Sequence, residues 1–301
     1  MKQNFSVYVE GCIYPATTQS FPPVATTIVQ LQKSGFNTAI LGLFHIGRNY
    51  AIQPSQIMGD IYFNDTLIIS EGCYVGDSNW PALVNGLPAG TVSQVCASFG
   101  GGGVMDFQTI QRIYQSNGNS FSGTTLESNF EVLRNTFPAI GIVDMDCEET
   151  YDQTSFVAFC QMLAGLGFGI TFCPYTNTAF WAASLAALNN SNPGAVKWWN
   201  LQCYDGGFGN TPAAWAEAIE QAIPTFSTIG YFVVGDWTND GPGSTQALMS
   251  SFTDKSAISG GFMWTLDNMI TANPQDPQSV MTAFVDAISE GLGSTIIRKH
   301  L

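Results

Sequence analysis

Eight short apolar runs recur along the chain, and a helical pattern follows nearly every one. The runs are 5–11, 37–46, 92–99, 139–148, 168–174, 195–205, 228–236 and 259–266. Between them, segments 24–34, 106–115, 125–136, 153–166, 178–189, 212–223, 244–254 and 277–290 read as helices. In 153–166, Phe156, Phe159, Cys160 and Leu163 fall at i, i+3, i+4 and i+7 and make one apolar stripe. Gly167, just after it, suits a helix stop. Eight strands with helical crossovers predict a single (β/α)8 TIM barrel over residues 1–301. One doubly wound sheet is the competing arrangement. Segment 47–91 breaks the rhythm. Its IYFNDTLIIS, with Asn64 and Asp65 at the turn, predicts a hairpin insertion after strand 2, and a short helix is expected near Trp80. No linker, repeat or composition shift divides the chain.

Composition narrows the partners. The chain has 23 acidic residues against nine Lys and Arg, a net charge of -14. It can hardly build the basic face that grips a phosphate backbone, so neither nucleic acid nor anionic membrane is an expected partner. A run of about 20 apolar residues, as a membrane-spanning helix needs, is absent from the sequence. The seven cysteines are odd in number and lack CxxC spacing, and read as small buried hydrophobes. With only His45 and His300, a zinc site or a His-based triad is not expected. The first strand follows the N-terminal residues with no signal-peptide core between. With the odd cysteines, this favours a cytoplasmic or non-classically exported protein, or a secreted one whose signal was removed. A monomer is expected.

The fourth strand-like run carries GIVDMDCEE, residues 141–149. Side chains alternate faces along a strand, so Asp144, Asp146 and Glu148 share one face while Val143, Met145 and Cys147 share the other. The apolar face can pack on helices, so the carboxylate face points into the barrel. There it rises toward the C-terminal strand ends, where active sites of this fold sit. Such a column cannot keep every charge, and at least one proton stays near neutral pH. Glu148, nearest the mouth, is expected to hold it as general acid. Glu149 has the opposite phase and either ends the strand or caps the segment after it. A solvated acidic loop and a calcium site built from oxygens are the alternatives.

The spacing Asp144-x-Asp146-x-Glu148 resembles the DxxDxDxE signature of glycoside hydrolase family 18, the chitinases and endo-β-N-acetylglucosaminidases with their lectin-like relatives. Further matches occur in order. Ser98-Phe99-Gly100-Gly101 ends the third strand and is similar to the family's SxGG. Gln202-x-Tyr204-Asp205 ends the sixth and resembles MxYD in its Gln form; Asn200, Gln202 and Tyr204 share a face. Trp264, on the eighth strand, resembles the tryptophan that floors the central sugar subsite. Gly11 and Phe44 end the first two strands, where the family carries aromatic or small residues. The first Asp of the signature falls on Gly141 here, a departure that bears on efficiency more than on the reaction.

The resemblance implies retaining hydrolysis of a β-1,4 bond beside N-acetylglucosamine, in chitin, a chitooligosaccharide or another such glycan. The substrate's own acetamido group would serve as nucleophile. It implies Glu148 as acid, Asp146 orienting the acetamido N–H, Asp144 holding Asp146, and Tyr204 bonding the acetamido carbonyl. Trp264 would stack under the ring. Substrate contacts are expected from Gln202, Asp205, Ser98, Gly100, Gly101 and Phe44. Trp237, after strand seven, and Tyr175, after strand five, would extend the cleft or pack a loop. No metal or cofactor is implied. The same barrel as a glycan-binding lectin, and a structural protein without ligand, are the competing classes.

Overall fold

The computed structural model describes residues 3–15, 21–47, 59–204 and 209–293. Its strands are Asn4–Val9 (β1), Thr38–Ile46 (β2), Ile61–Phe63 (β3), Thr66–Ser70 (β4), Cys73–Tyr74 (β5), Gln94–Gly100 (β6), Ile140–Asp146 (β7), Gly169–Phe172 (β8), Val196–Gln202 (β9), Phe232–Trp237 (β10) and Ile258–Trp264 (β11). Its helices are Val24–Leu31 (α1), Trp80–Asn85 (α2), Asp106–Ser116 (α3), Thr125–Thr136 (α4), Gln153–Gly165 (α5), Thr178–Ser191 (α6), Pro212–Ala222 (α7), Gly241–Ser251 (α8), Leu266–Ala272 (α9) and Pro277–Gly291 (α10). β1, β2, β6, β7, β8, β9, β10 and β11 pair in parallel in that order, and β11 pairs back onto β1. The ring closes into a (β/α)8 barrel. β3 to β5 extend the far end of β2 as an antiparallel hairpin, with Asn64 at its turn at a φ of 49°.

Local chemistry explains where the helices begin and end. Thr124, Asp152, Thr211 and Asp276 each accept a backbone N–H at a helix start, satisfying donors that the first turn leaves open. Pro212 and Pro277 stand at the first helical position, where a missing N–H costs nothing. α5 stops at Gly167, whose φ of 85° lets Phe168 N–H reach the Leu163 carbonyl at 3.0 Å.

The barrel separates two apolar regions. The inner one is small and includes Tyr8, Ile40, Ile142, Trp198, Val233 and Phe262. The outer one lies between strands and helices and takes the alternate residues, among them Val7, Leu41, Val143 and Trp199. One strand breaks the alternation. The β2–β6 register shifts between Leu41 and Phe44. Counted from inward Ile40, Phe44 should also face in. The irregularity turns it outward onto Phe63 and Phe99, both at 5.1 Å between ring centroids.

Candidate active site

β7 carries the carboxylate column into the barrel, and its neighbours set what each acid meets. Asp144 lies beside Ser98 on β6 and Thr171 on β8. It is fully buried and accepts four hydrogen bonds. Tyr8 and Ser98 hydroxyls donate to Oδ2 at 2.8 Å each, and Thr171 Oγ1 and Asn200 Nδ2 donate to Oδ1 at 2.6 and 2.9 Å. Its pKa is raised, burial being the main cause, and the four donors, each favouring the anion, oppose the shift without cancelling it.

One step nearer the mouth, Asp146 is also buried but shares its hydrogen bonds with another acid. Its pKa stands well above the carboxylate range. Burial is the main cause, followed by the charges of Glu148 and Asp144. Asp146 hydrogen-bonds Glu148, and Cys173 also bonds it. Gln202 bridges the pair, its amide nitrogen donating to Asp146 Oδ1 at 3.0 Å and to Glu148 Oε1 at 3.2 Å. Glu148 lies two residues past the end of β7 and is half-buried, the outermost of the three. Within the column it is thus Asp146, paired with Glu148, whose pKa is pushed up.

Among the described residues, no Lys or Arg offsets this charge at close range. The five described Lys and Arg side chains lie toward the opposite end of the barrel. Lys33 follows α1, Arg112 and Arg134 are in the later halves of α3 and α4, and Lys197 and Lys255 sit at or just before the starts of β9 and β11. Among the described residues, no three His, Cys, Asp or Glu side chains are grouped to hold a metal ion.

Glycines let the backbone close on the column. Gly100 pairs with Asp146, and a Cβ there would lie 2.0 Å from the Asp146 carbonyl oxygen. That oxygen accepts Gly101 N–H at 2.8 Å. Both glycines have φ above 100°, so a side chain is excluded by conformation as well as by space. A Cβ on Gly102 would come 3.1 Å from Glu148 Oε2. Gly103 N–H donates to Glu149, which ties the β6 and β7 loops together rather than joining the column.

Aromatic rings complete the mouth. Trp264 packs on Tyr8 at 5.2 Å, above the residue that binds Asp144. Tyr204 stacks on Trp237 at 6.2 Å and meets Phe262 edge-on at 6.0 Å. Burial, and then the charges of Cys173 and the acids, raise the Tyr204 hydroxyl well above its usual pKa, which places it next to the column. Thus Asp144, Asp146, Glu148, Ser98, Gly100, Gly101, Gln202, Tyr204, Trp237 and Trp264 meet at one end of the barrel. Phe44 does not join them, being fully buried in the outer core. Asp205 lies outside the described residues. Gly141 is half-buried on the opposite face of β7, and a Cβ there would meet nothing within 4 Å. An aspartate at that position would not belong to the column.

Several contributors escape a reading of the sequence. Tyr8 and Thr171 hold Asp144 from β1 and β8, and Cys173 touches Asp146. Tyr8 is legible in principle from the alternation of Ser6, Tyr8 and Glu10 on an otherwise apolar strand. Glu10 continues that row at the mouth. Its pKa rises from an ordinary 4.5 to about 7, through burial and then the neighbouring charge of Asp267, while a Thr265 hydrogen bond opposes the shift. Asp267, at the start of α9, accepts the backbone N–H groups of Glu10 and Cys12, both at 2.9 Å.

No protein-family model matches the chain, and no curated protein matches it. Among solved structures it resembles the catalytic domain of a family GH18 chitinase from the fern Peteris ryukyuensis. The identity is 14% and the TM-score 0.53, with 94% of this chain and 100% of that chain covered. It also resembles tryptophan synthase subunit alpha from Legionella pneumophila, with 10% identity, a TM-score of 0.51, and 96% and 94% covered. Two proteins of such different names fit almost equally well. What these likenesses share with the chain is the barrel itself.

Proposed function

We propose that the chain is a retaining glycoside hydrolase that cleaves a β-1,4 bond beside N-acetylglucosamine. The observation that carries this reading is the inward trio Asp144, Asp146 and Glu148, clamped by Gln202 and flanked by Trp264 and Tyr204. Glu148, the outermost acid, gives a proton to the leaving oxygen. The neighbouring acetamido oxygen attacks the anomeric carbon and closes an oxazolinium ring with inversion. Asp146 accepts the acetamido N–H and so aims that oxygen. Once Glu148 has delivered the proton of the pair, Asp146 is left as a carboxylate whose negative charge faces the positive charge building on the ring. Asp144 keeps its place through four fixed donors. Glu148, now a carboxylate, takes a proton from water, whose oxygen opens the ring with a second inversion, so the anomeric configuration is retained. Trp264 offers an apolar face to the sugar's C–H groups. The likeness in fold to a chitinase supports the reading only at the level of the scaffold.

The test is product analysis on N-acetylglucosamine oligomers with the anomer resolved, for the native chain and Glu148→Gln. The native chain should release shorter oligomers of retained configuration, and the variant should lose about 10²–10⁴-fold in turnover with binding kept. Binding without any cleavage by the native chain identifies a lectin-like barrel and refutes the enzyme reading. An inverted product refutes the substrate-assisted step.

A further inference from the structure

The end of the barrel opposite the column holds a cavity of about 300 Å³, lined by Asn4, Asn37, Gln94, Lys197, Trp198, Ser259 and their neighbours. These residues come from the starts of β1, β6, β9 and β11 and from the turn before β2. The volume holds roughly ten waters' worth of liquid, enough for a monosaccharide. Its chemistry is the reverse of the mouth. No Asp or Glu lines it, and Lys197 supplies a cation.

The donors are positioned. The Lys197 stem lies across Gly169, where a Cβ would come 3.0 Å from Cε, so the missing side chain makes room for it. One ammonium hydrogen goes to the Gly194 carbonyl at 2.7 Å, leaving two. Asn4 turns its amide oxygen to the Ser6 hydroxyl at 2.7 Å, and the Thr38 hydroxyl lies 3.0 Å from that same oxygen and 3.2 Å from the Gln94 amide oxygen. Their NH2 groups are then the donors available to an occupant. Asn37 accepts Phe5 N–H and gives one of its two amide hydrogens to the Gln3 carbonyl. Trp198 adds an indole face, its own N–H tied to Asn200 at 2.9 Å.

We infer that this cavity is a second binding site, for a monoanionic polyhydroxylated ligand of the size of a sugar acid. The carboxylate is recognised by Lys197 and the two amides, and the ring C–H face lies against Trp198. An inorganic anion would leave the indole unused, and a neutral sugar would leave the ammonium unused. The inference does not depend on the reaction proposed for the mouth. It has a built-in reporter, because Trp198 bonds Asn200, whose amide bonds Asp144 at 2.9 Å.

The test is an NMR titration of the full chain with glucuronate, with glucose and acetate as separate arms. Glucuronate should give saturable shifts at Gly194, Gly230 and the Asn200 side-chain amide. Glucose and acetate should each bind more weakly. Lys197→Gln, at an exposed position, should leave the melting temperature in place and weaken glucuronate roughly tenfold, and Gln94→Ala should weaken it less. Absence of saturation, equal binding of glucose, or binding untouched by Lys197→Gln would each overturn the assignment. None of these results depends on whether glycan is cleaved.

Discussion

Tyr8 and Val9 are neighbours on β1 and almost equally buried, at 1% and 0% exposure, yet they belong to different interiors. Val9 joins the outer region, where rings and aliphatic chains from strands and helices interlock. Tyr8 joins the inner region, where its hydroxyl is committed to an acid 136 residues away. The outer region is held by packing, and any well-fitting apolar side chain serves it. The inner one is held by hydrogen bonds among groups that prefer water, and each donor is set against particular acceptors. The packed core and the buried polar network are thus drawn from opposite faces of the same strands.

Phe130 tests the outer side of that contrast. It is fully buried against Phe99, Phe159 and Phe168. Phe130→Ala should cost about 3–5 kcal/mol in denaturant unfolding. Activity per folded molecule should not change, and a selective loss of turnover would break the division. Tyr8→Phe tests the inner side. It keeps the ring against Trp264 but removes one of Asp144's four donors, and should cost about 1.5–3 kcal/mol. With the anion less favoured, the acid limb of the pH–rate profile should move to higher pH, which an outer-core change would not produce. A smaller effect is expected at Glu10. Its folded-state pKa, about 7, lies above the ordinary 4.5. Between those values the folded protein holds a proton that the unfolded chain releases, so this group's contribution to stability falls as pH rises through the window. Glu10→Gln should flatten that part of the stability–pH curve, measured by thermal melts in matched buffers. The smallest change belongs to Gly141→Asp. The new carboxylate faces away from the column into open space, so stability should shift by no more than about 0.5 kcal/mol and the pH–rate profile should superimpose on the native one.

The parallel between periodicity and fold explains what could be read from the sequence. Period-two alternation within β7 puts Asp144 and Asp146 on one face without any knowledge of their neighbours, and the eightfold strand–helix rhythm closes the ring around them. The same logic misplaces Phe44, because an irregularity in β2 shifts the phase by one residue and no residue type near it announces the shift. α9 escapes the periodic pattern because its seven residues are too few to show a stripe. The donors to Asp144 come from β1, β6, β8 and β9, and nothing in a single chain says which strand starts will stand level. Strand ends are likewise short of the expected ones: β7 stops at Asp146 and β9 at Gln202, so Glu148 and Tyr204 stand just beyond their ladders. The proton also resists reading from sequence, since its distribution depends on how deeply each acid is buried and on who faces it.

The Gln202 clamp carries a practical consequence. A primary amide has two hydrogens, and here each points at a different carboxylate. In a nitrogen-correlated spectrum they become two separately resolved resonances on one atom. The deeper acid perturbs one and the outer acid the other, so a single labelled side chain would follow both titrations during the same acidification, without a substrate and without altering either acid.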